Sequence, residues 1–394
     1  LPDNIESLLD RVCELIAAAA DTRRIADARR RDGAVMAGRE ADYLPIAFAA
    51  PLPEEARDWP GFDWHERFFD PAKSLFMQLR EMVLPRVLGG GDYVPGVRAD
   101  MGTINCQSVF GVEWRVTREN RSAVTRYVPK DVLAHFESPE DVRGMGVIPQ
   151  MVEHMAHHAA ALADRGLGGI VSVHHCDQQG PFDIAAMVRG HDIFVDMHDD
   201  GDFVHRLMRA CTEVYVKVTE LCKAVSGERV GGPGNAVGVW MDAGAVRMCG
   251  DSDILVGAPA YREFIQPYQR EAFDRLGGGW LHYCGGWPGT GRSEGLHLHD
   301  AYAEIGSLRG LNWTTARDWL GEMRKLRRLG VVHVGTVPRL AGEGLADYFR
   351  RVLSCYERRS GLVFGGTWDG PELRAGEHAR AVETWHRVQD EMLP

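Results

Sequence analysis

The chain has 394 residues, 45% of them hydrophobic and 26% charged, with 45 Lys+Arg against 56 Asp+Glu for a formal net charge of −11. That apolar fraction excludes wholesale disorder and provides core enough for one large α/β domain or two smaller ones. The acidic balance argues against nucleic acid or an anionic membrane as partner, because both are met by a clustered Lys/Arg face.

The first forty residues open on a helical apolar pattern, Ile5, Leu8, Leu9, Val12, Leu15 and Ile16, with Asp3, Glu6 and Asp10 among them. This acidic start lacks the basic region of a signal peptide, and no apolar run reaches the roughly 18 residues of a membrane span. A helical N-terminal extension over 1–40 and a cytoplasmic location are expected.

From residue 41 onward, short runs rich in Val, Ile and aromatics end at glycines or polar clusters, the pattern of buried strands. In chain order they are Tyr43–Ala49, Tyr93–Asp100, Gly169–Cys176, Val237–Gly244, Gly279–Gly285, Leu308–Thr314, Val331–Val337 and Gly361–Thr367. Helical patterns lie between them, at Glu66–Val87, Pro149–Arg165, Phe203–Val225, Ala258–Leu276, Arg317–Leu329 and Gly344–Arg358, with a last one at Glu377–Met392. Eight alternations of strand and helix predict a single (β/α)8 TIM barrel over 41–394, with a doubly wound open sheet as the alternative. The stretch 105–140 reads as an insertion over the barrel mouth.

In such barrels the chemistry sits where the strands end. There the sequence places His174, His175, Cys176 and Asp177, then Asp242, Asp251 and Asp253, then His282 and Cys284 before Gly285-Gly286. Asn312, Thr314, His333, Thr336, Trp368 and Asp369 follow. His282 and Cys284 stand two apart on one strand, so their side chains share a side, and zinc accepts imidazole nitrogen and thiolate together. A core cysteine beside a hydrogen-bonded core histidine would show the same spacing. The eight cysteines hold no CxxC pair and are read as reduced thiols.

Three segments resemble the uroporphyrinogen decarboxylase superfamily: Gly180-Pro181-Phe182 with the helix after it, Gly250-Asp251-Ser252-Asp253 running on to Pro267-Tyr268, and His282-Tyr283-Cys284-Gly285-Gly286. The likeness covers roughly residues 40–390 and implies a single (β/α)8 barrel. Decarboxylases of that superfamily carry an arginine-rich run near the first strand, whereas Tyr43–Pro51 here holds no arginine, so a polycarboxylate substrate is disfavoured. The resemblance therefore points to the cobalamin-dependent methyltransferase branch.

That branch implies zinc held by His282, Cys284 and a third ligand near the end of the last strand, where this chain offers Asp369 in place of a cysteine. Cys355 reads as packing within its helix, and His174, His175, His333 or loss of the metal remain as alternatives. The implied reaction moves a methyl group between a small methylated donor or thiol and cobalamin carried by a separate corrinoid protein. Asp251, Asp242 and His175 are the candidates for proton transfer, and His174, Trp240, Asn312, His333 and Trp368 for lining the substrate. For the aspartates, helix capping is the plainer role. A metal-independent decarboxylase or lyase and a non-catalytic binding relative are the competing readings, and homodimerisation is left open.

Overall fold

The computed structural model describes residues 4–119, 121–286, 293–365 and 377–394. Trp368 and Asp369 lie outside them, as does the end of the expected strand Gly361–Thr367. The described strands are, in chain order, β1 (Gly96–Val97), β2 (Glu113–Arg115), β3 (Ala123–Arg126), β4 (Ser172–Val173), β5 (Gln178–Gln179) and β6 (Gly234–Ala236). Then follow β7 (Val239–Met241), β8 (Val246–Cys249), β9 (Gly279–Tyr283), β10 (Leu308–Trp313), β11 (Val332–Gly335) and β12 (Leu362–Phe364).

Six of these form one parallel sheet in the order β12-β11-β10-β9-β8-β5, and β1 and β4 form a separate parallel pair. Every residue of β9 is buried, as parallel strands covered by helices require. The first expected strand is reduced to a bridge from Ile46 to Phe364. Pro45 has no N–H to give a ladder, and Asp92 takes over at Ile46: its carboxylate accepts the Ile46 N–H at 3.1 Å and its own N–H donates to the Ile46 carbonyl at 2.6 Å.

The fourth expected strand is corrected. Val237–Gly244 does not enter the parallel sheet; β8, a few residues later, does. Val237 and Gly238 both adopt positive φ, 56° and 86°, and so make the tight two-residue turn of an antiparallel hairpin, β6–β7. A second pair of left-handed residues, Gly244 and Ala245 at 75° and 54°, then redirects the chain into β8.

That hairpin touches both parallel sheets. Asn235 Nδ2 donates to Ser172 Oγ at 3.0 Å beside β4, and the Trp280 indole N–H of β9 donates to the Ala236 carbonyl at 3.1 Å. The two sheets therefore curve around it, and Trp280 marks the inner face. The helix Thr22–Met36 covers the hairpin from outside: Asp32, buried, accepts the Trp240 N–H at 3.0 Å. The helix Ile5–Ala19 packs Leu8, Leu9, Val12 and Ile16 into a smaller core with Leu75, Phe76, Leu79 and Val83. The stretch 105–140 holds the hairpin β2–β3 and the short helix Lys130–Ala134. No described helix is long and apolar enough to cross a membrane.

Candidate metal centre

Neighbouring residues in register on parallel strands point to the same face. Since Trp280 points inward, so do His282 two residues on, its β8 partner Cys249 and its β10 partner Asn312. The loop after β8 brings in Asp251. The donor atoms of Asp251, His282 and Cys284 lie within 4.8 Å of one another, at the end where the parallel strands finish.

His282 is 2% exposed, and its Nδ1 lies 2.5 Å from Asn312 Oδ1. The amide oxygen can only accept, so Nδ1 carries the proton and Nε2 is left as a lone pair. That Nε2 is 3.3 Å from Cys284 Sγ. Of the eight cysteines, seven are buried and Cys284 alone is exposed. Burial, together with the charge of Asp251, pushes its thiol up to about 12. A cation among the three groups would reverse that preference and hold the thiolate. One imidazole nitrogen, one sulfur and one carboxylate, with the imidazole fixed from behind by an amide, is a donor set that fits zinc with a position left for another ligand.

The third donor is held by a residue that sequence reasoning passed over. Asp183, 1% exposed in the first turn of the helix Pro181–Arg189, accepts the N–H of Asp251 at 2.9 Å and of Ser252 at 2.6 Å. Asp251 Oδ1 in turn accepts the Cys284 N–H at 2.6 Å. Burial first, and the Asp251 charge second, push the Asp183 carboxyl up to about 7. An acidic residue in a first helical turn looks in sequence like any dipole-matching side chain, so nothing marked it out.

The other expected site residues are dispersed. Trp240 lies in β7 and Asp242 directly follows it, in the antiparallel hairpin and not at the end of a strand of the parallel sheet, so the expectation that they stand at the mouth is corrected. Asp242 pairs with Arg39 at 2.7 Å, and the Trp240 ring lies 4.9 Å from the Arg29 guanidinium. His175 spends both ring nitrogens on backbone: Nδ1 lies 2.8 Å from the Cys176 carbonyl, and Nε2 accepts the Arg247 N–H at 3.1 Å. Lying between β4 and β5 in the chain, it bonds to the backbone of β8. His174 is buried against Gly96, near Asn235 of the hairpin β6–β7, with burial lowering it to about 3. His333 pairs in register with Leu311, so it points to the opposite face from His282 and packs edge-on against Trp313 with ring centres 4.4 Å apart. Cys355 is buried, with Sγ toward the Leu320 carbonyl.

No family model matches the chain, and no curated protein matches it by sequence. Among solved structures, a methyltransferase from Methanosarcina mazei is similar. Its TM-score is 0.61 at 15% sequence identity, over 92% of this chain and 98% of that one. The two share a fold along almost their full lengths.

Proposed function

We propose that this chain is a methyltransferase on a TIM-barrel-type scaffold, of the corrinoid-linked branch of the uroporphyrinogen decarboxylase superfamily, and that its metal is zinc. The observation that carries the reading is the Asp251, His282 and Cys284 cluster at the finishing end of the parallel strands. The structural likeness to a methyltransferase supports it. In this reading Asp251 binds the metal rather than transferring a proton, while Asp369, the expected third ligand, lies outside the described residues.

When bound, zinc would lower the pKa of an acceptor thiol so that a thiolate is present near neutral pH, and a corrinoid on a partner protein would supply or take the methyl group. The chain's own residues set the stage for that exchange. Asn312 keeps the His282 lone pair aimed at Cys284. Asp183 holds the backbone of the loop that presents Asp251. Cys284, exposed, leaves the centre open to a substrate from the mouth.

The test is metal analysis joined to an activity assay. One zinc per chain is expected, lost in Cys284→Ser, with methyl transfer between methylcobalamin and a panel of small thiols and methylated donors. A folded wild-type chain that holds no metal after zinc loading and removal of excess would sink the reading.

A further inference from the structure

Tyr283 stands between His282 and Cys284 in the chain, so its side chain leaves β9 on the face opposite to His282, away from the cluster. There its hydroxyl lies 2.7 Å from His299 Nε2, and His299 Nδ1 lies 2.9 Å from Glu322 Oε2. A carboxylate only accepts, so Nδ1 carries the proton and the Tyr283 hydroxyl donates to the lone pair on Nε2. His299 opens the short helix His299–Ala303. One turn further on the same face, Tyr302 reaches the other half of the cluster. Its hydroxyl donates to Asp253 Oδ2 at 3.2 Å, where the Gln269 amide also donates at 2.6 Å. Asp253 closes the loop that holds Asp251, and its carboxylate fills the space that a Cβ at Gly250 would need. Tyr283, His299, Tyr302 and Asp253 are all fully buried.

A single turn of helix thus holds both the strand that carries His282 and Cys284 and the loop that carries Asp251. The turn is itself anchored: Asp300 pairs with Lys325 at 2.7 Å, and Gln266 Nε2 donates to the Ala301 carbonyl at 2.7 Å. Apolar side chains of the same shape in place of these paired hydroxyls would be nearly neutral for stability. What the bonds add is direction, because each fixes one segment of chain against another. The segments fixed here are the two whose donor atoms lie within 4.8 Å of one another. Asn312 bonds His282 from the inner side of the sheet, and the helix holds the same strand from the outer side.

We propose that His299 and Tyr302 are positioning residues for the metal centre, and that the helix His299–Ala303 is a clasp that sets the span between Asp251 and the His282–Cys284 pair. This rests on the reading of that cluster as a metal centre, and not on the reaction carried out there.

The test reads the metal in the full chain, zinc by competition with a chromophoric chelator and cobalt(II) in its place by absorption. Tyr302→Phe removes only the hydroxyl that Asp253 accepts, and Glu322→Leu removes the acceptor behind His299. Each is expected to weaken zinc binding about tenfold, the low end for groups that support the ligands from behind. Glu322→Gln keeps an acceptor oxygen for the Nδ1 proton and should restore the affinity to within twofold of wild type. In the cobalt form Glu322→Leu should move the sulfur-to-metal charge-transfer band, whereas Tyr302→Phe should change the ligand-field bands and leave that band in place. Tyr348→Phe, which loses a buried hydroxyl bonded to the Val337 carbonyl outside the clasp, should change neither. Zinc affinity within twofold of wild type in Tyr302→Phe or in Glu322→Leu, or no rescue by Glu322→Gln, would overturn the clasp. A wild type that takes up no metal would remove the metal reading and the clasp together. Metal held in the expected way by a chain that transfers no methyl group would remove the methyltransferase reading and leave the clasp standing.

Discussion

His282 and Asn312 are register partners on adjacent strands, and the 2.5 Å contact between His282 Nδ1 and Asn312 Oδ1 decides which nitrogen of the imidazole carries the proton. Replacing Asn312 by Ala removes the group that fixes ring and tautomer. Losses of this kind cost about 10- to 100-fold in metal affinity. Zinc affinity of Asn312→Ala, read by competition with a chromophoric chelator, should fall by that factor while circular dichroism is unchanged. An affinity equal to wild type would show that Asn312 does not orient His282.

Asp183→Ala leaves two backbone N–H groups, of Asp251 and Ser252, without their acceptor. A fully buried donor left unpaired costs about 1–3 kcal/mol, and these two are only partly buried. Urea unfolding should report a loss of about 1–3 kcal/mol for the pair together, and hydrogen exchange should speed up at residues 251–253 first. A loss of stability with no local change in exchange would mean that Asp183 supports the helix and not the loop.

Acid should destabilise the fold well before the carboxylates titrate. Burial lowers His154 to about 4 and His158, His174 and His333 to about 3, whereas in the unfolded chain each titrates near 6.5. The native state therefore binds fewer protons than the unfolded one across this window. The stability these neutral rings contribute is complete above pH 6.5 and is lost as pH falls toward 3, at about 1.4 kcal/mol per unit for each ring. Asp183 works in the opposite sense, since its raised pKa favours the fold at low pH. Urea midpoints between pH 7 and 4.5 should drop steeply, and His158→Leu should shallow the slope by one proton. A flat profile would contradict the burial of these rings.

Gly279→Ala places a methyl group against the Val246 carbonyl and the Phe273 ring, where β8 and β9 begin their pairing. Overpacking of this kind costs about 1–3 kcal/mol. The thermal midpoint should fall accordingly, and Gly330→Ala, whose added carbon meets open space but whose φ of 77° is left-handed, should cost less.

What could be read in advance follows from what alternation encodes. Strands β9 to β12 stand within the runs expected for them because their apolar stretches are bounded by glycines and flanked by helices. Val237–Gly244 misled because a Val-Gly turn in positive φ sits inside an apolar run, and side-chain hydropathy carries no record of φ. His282 and Cys284 were legible from their spacing of two. Asp251 was visible as a strand-end acid, but its place beside them depends on a loop held by Asp183. Arg247 was the missed signal with a physical basis: a charge within the apolar run Val246–Cys249 has to be buried, and therefore paired.

The hairpin β6–β7 does more than fill space. With Asn235 anchored to Ser172 and Ala236 to Trp280, it stoppers the lower end of the curved sheets, and the helix Thr22–Met36 lies across it. Among the described residues, a molecule bound for His282 would approach from the end where Cys284 is exposed. If two reactants must meet there, both would share that approach, and a steady-state pattern in which one blocks the other is the expected kinetic signature.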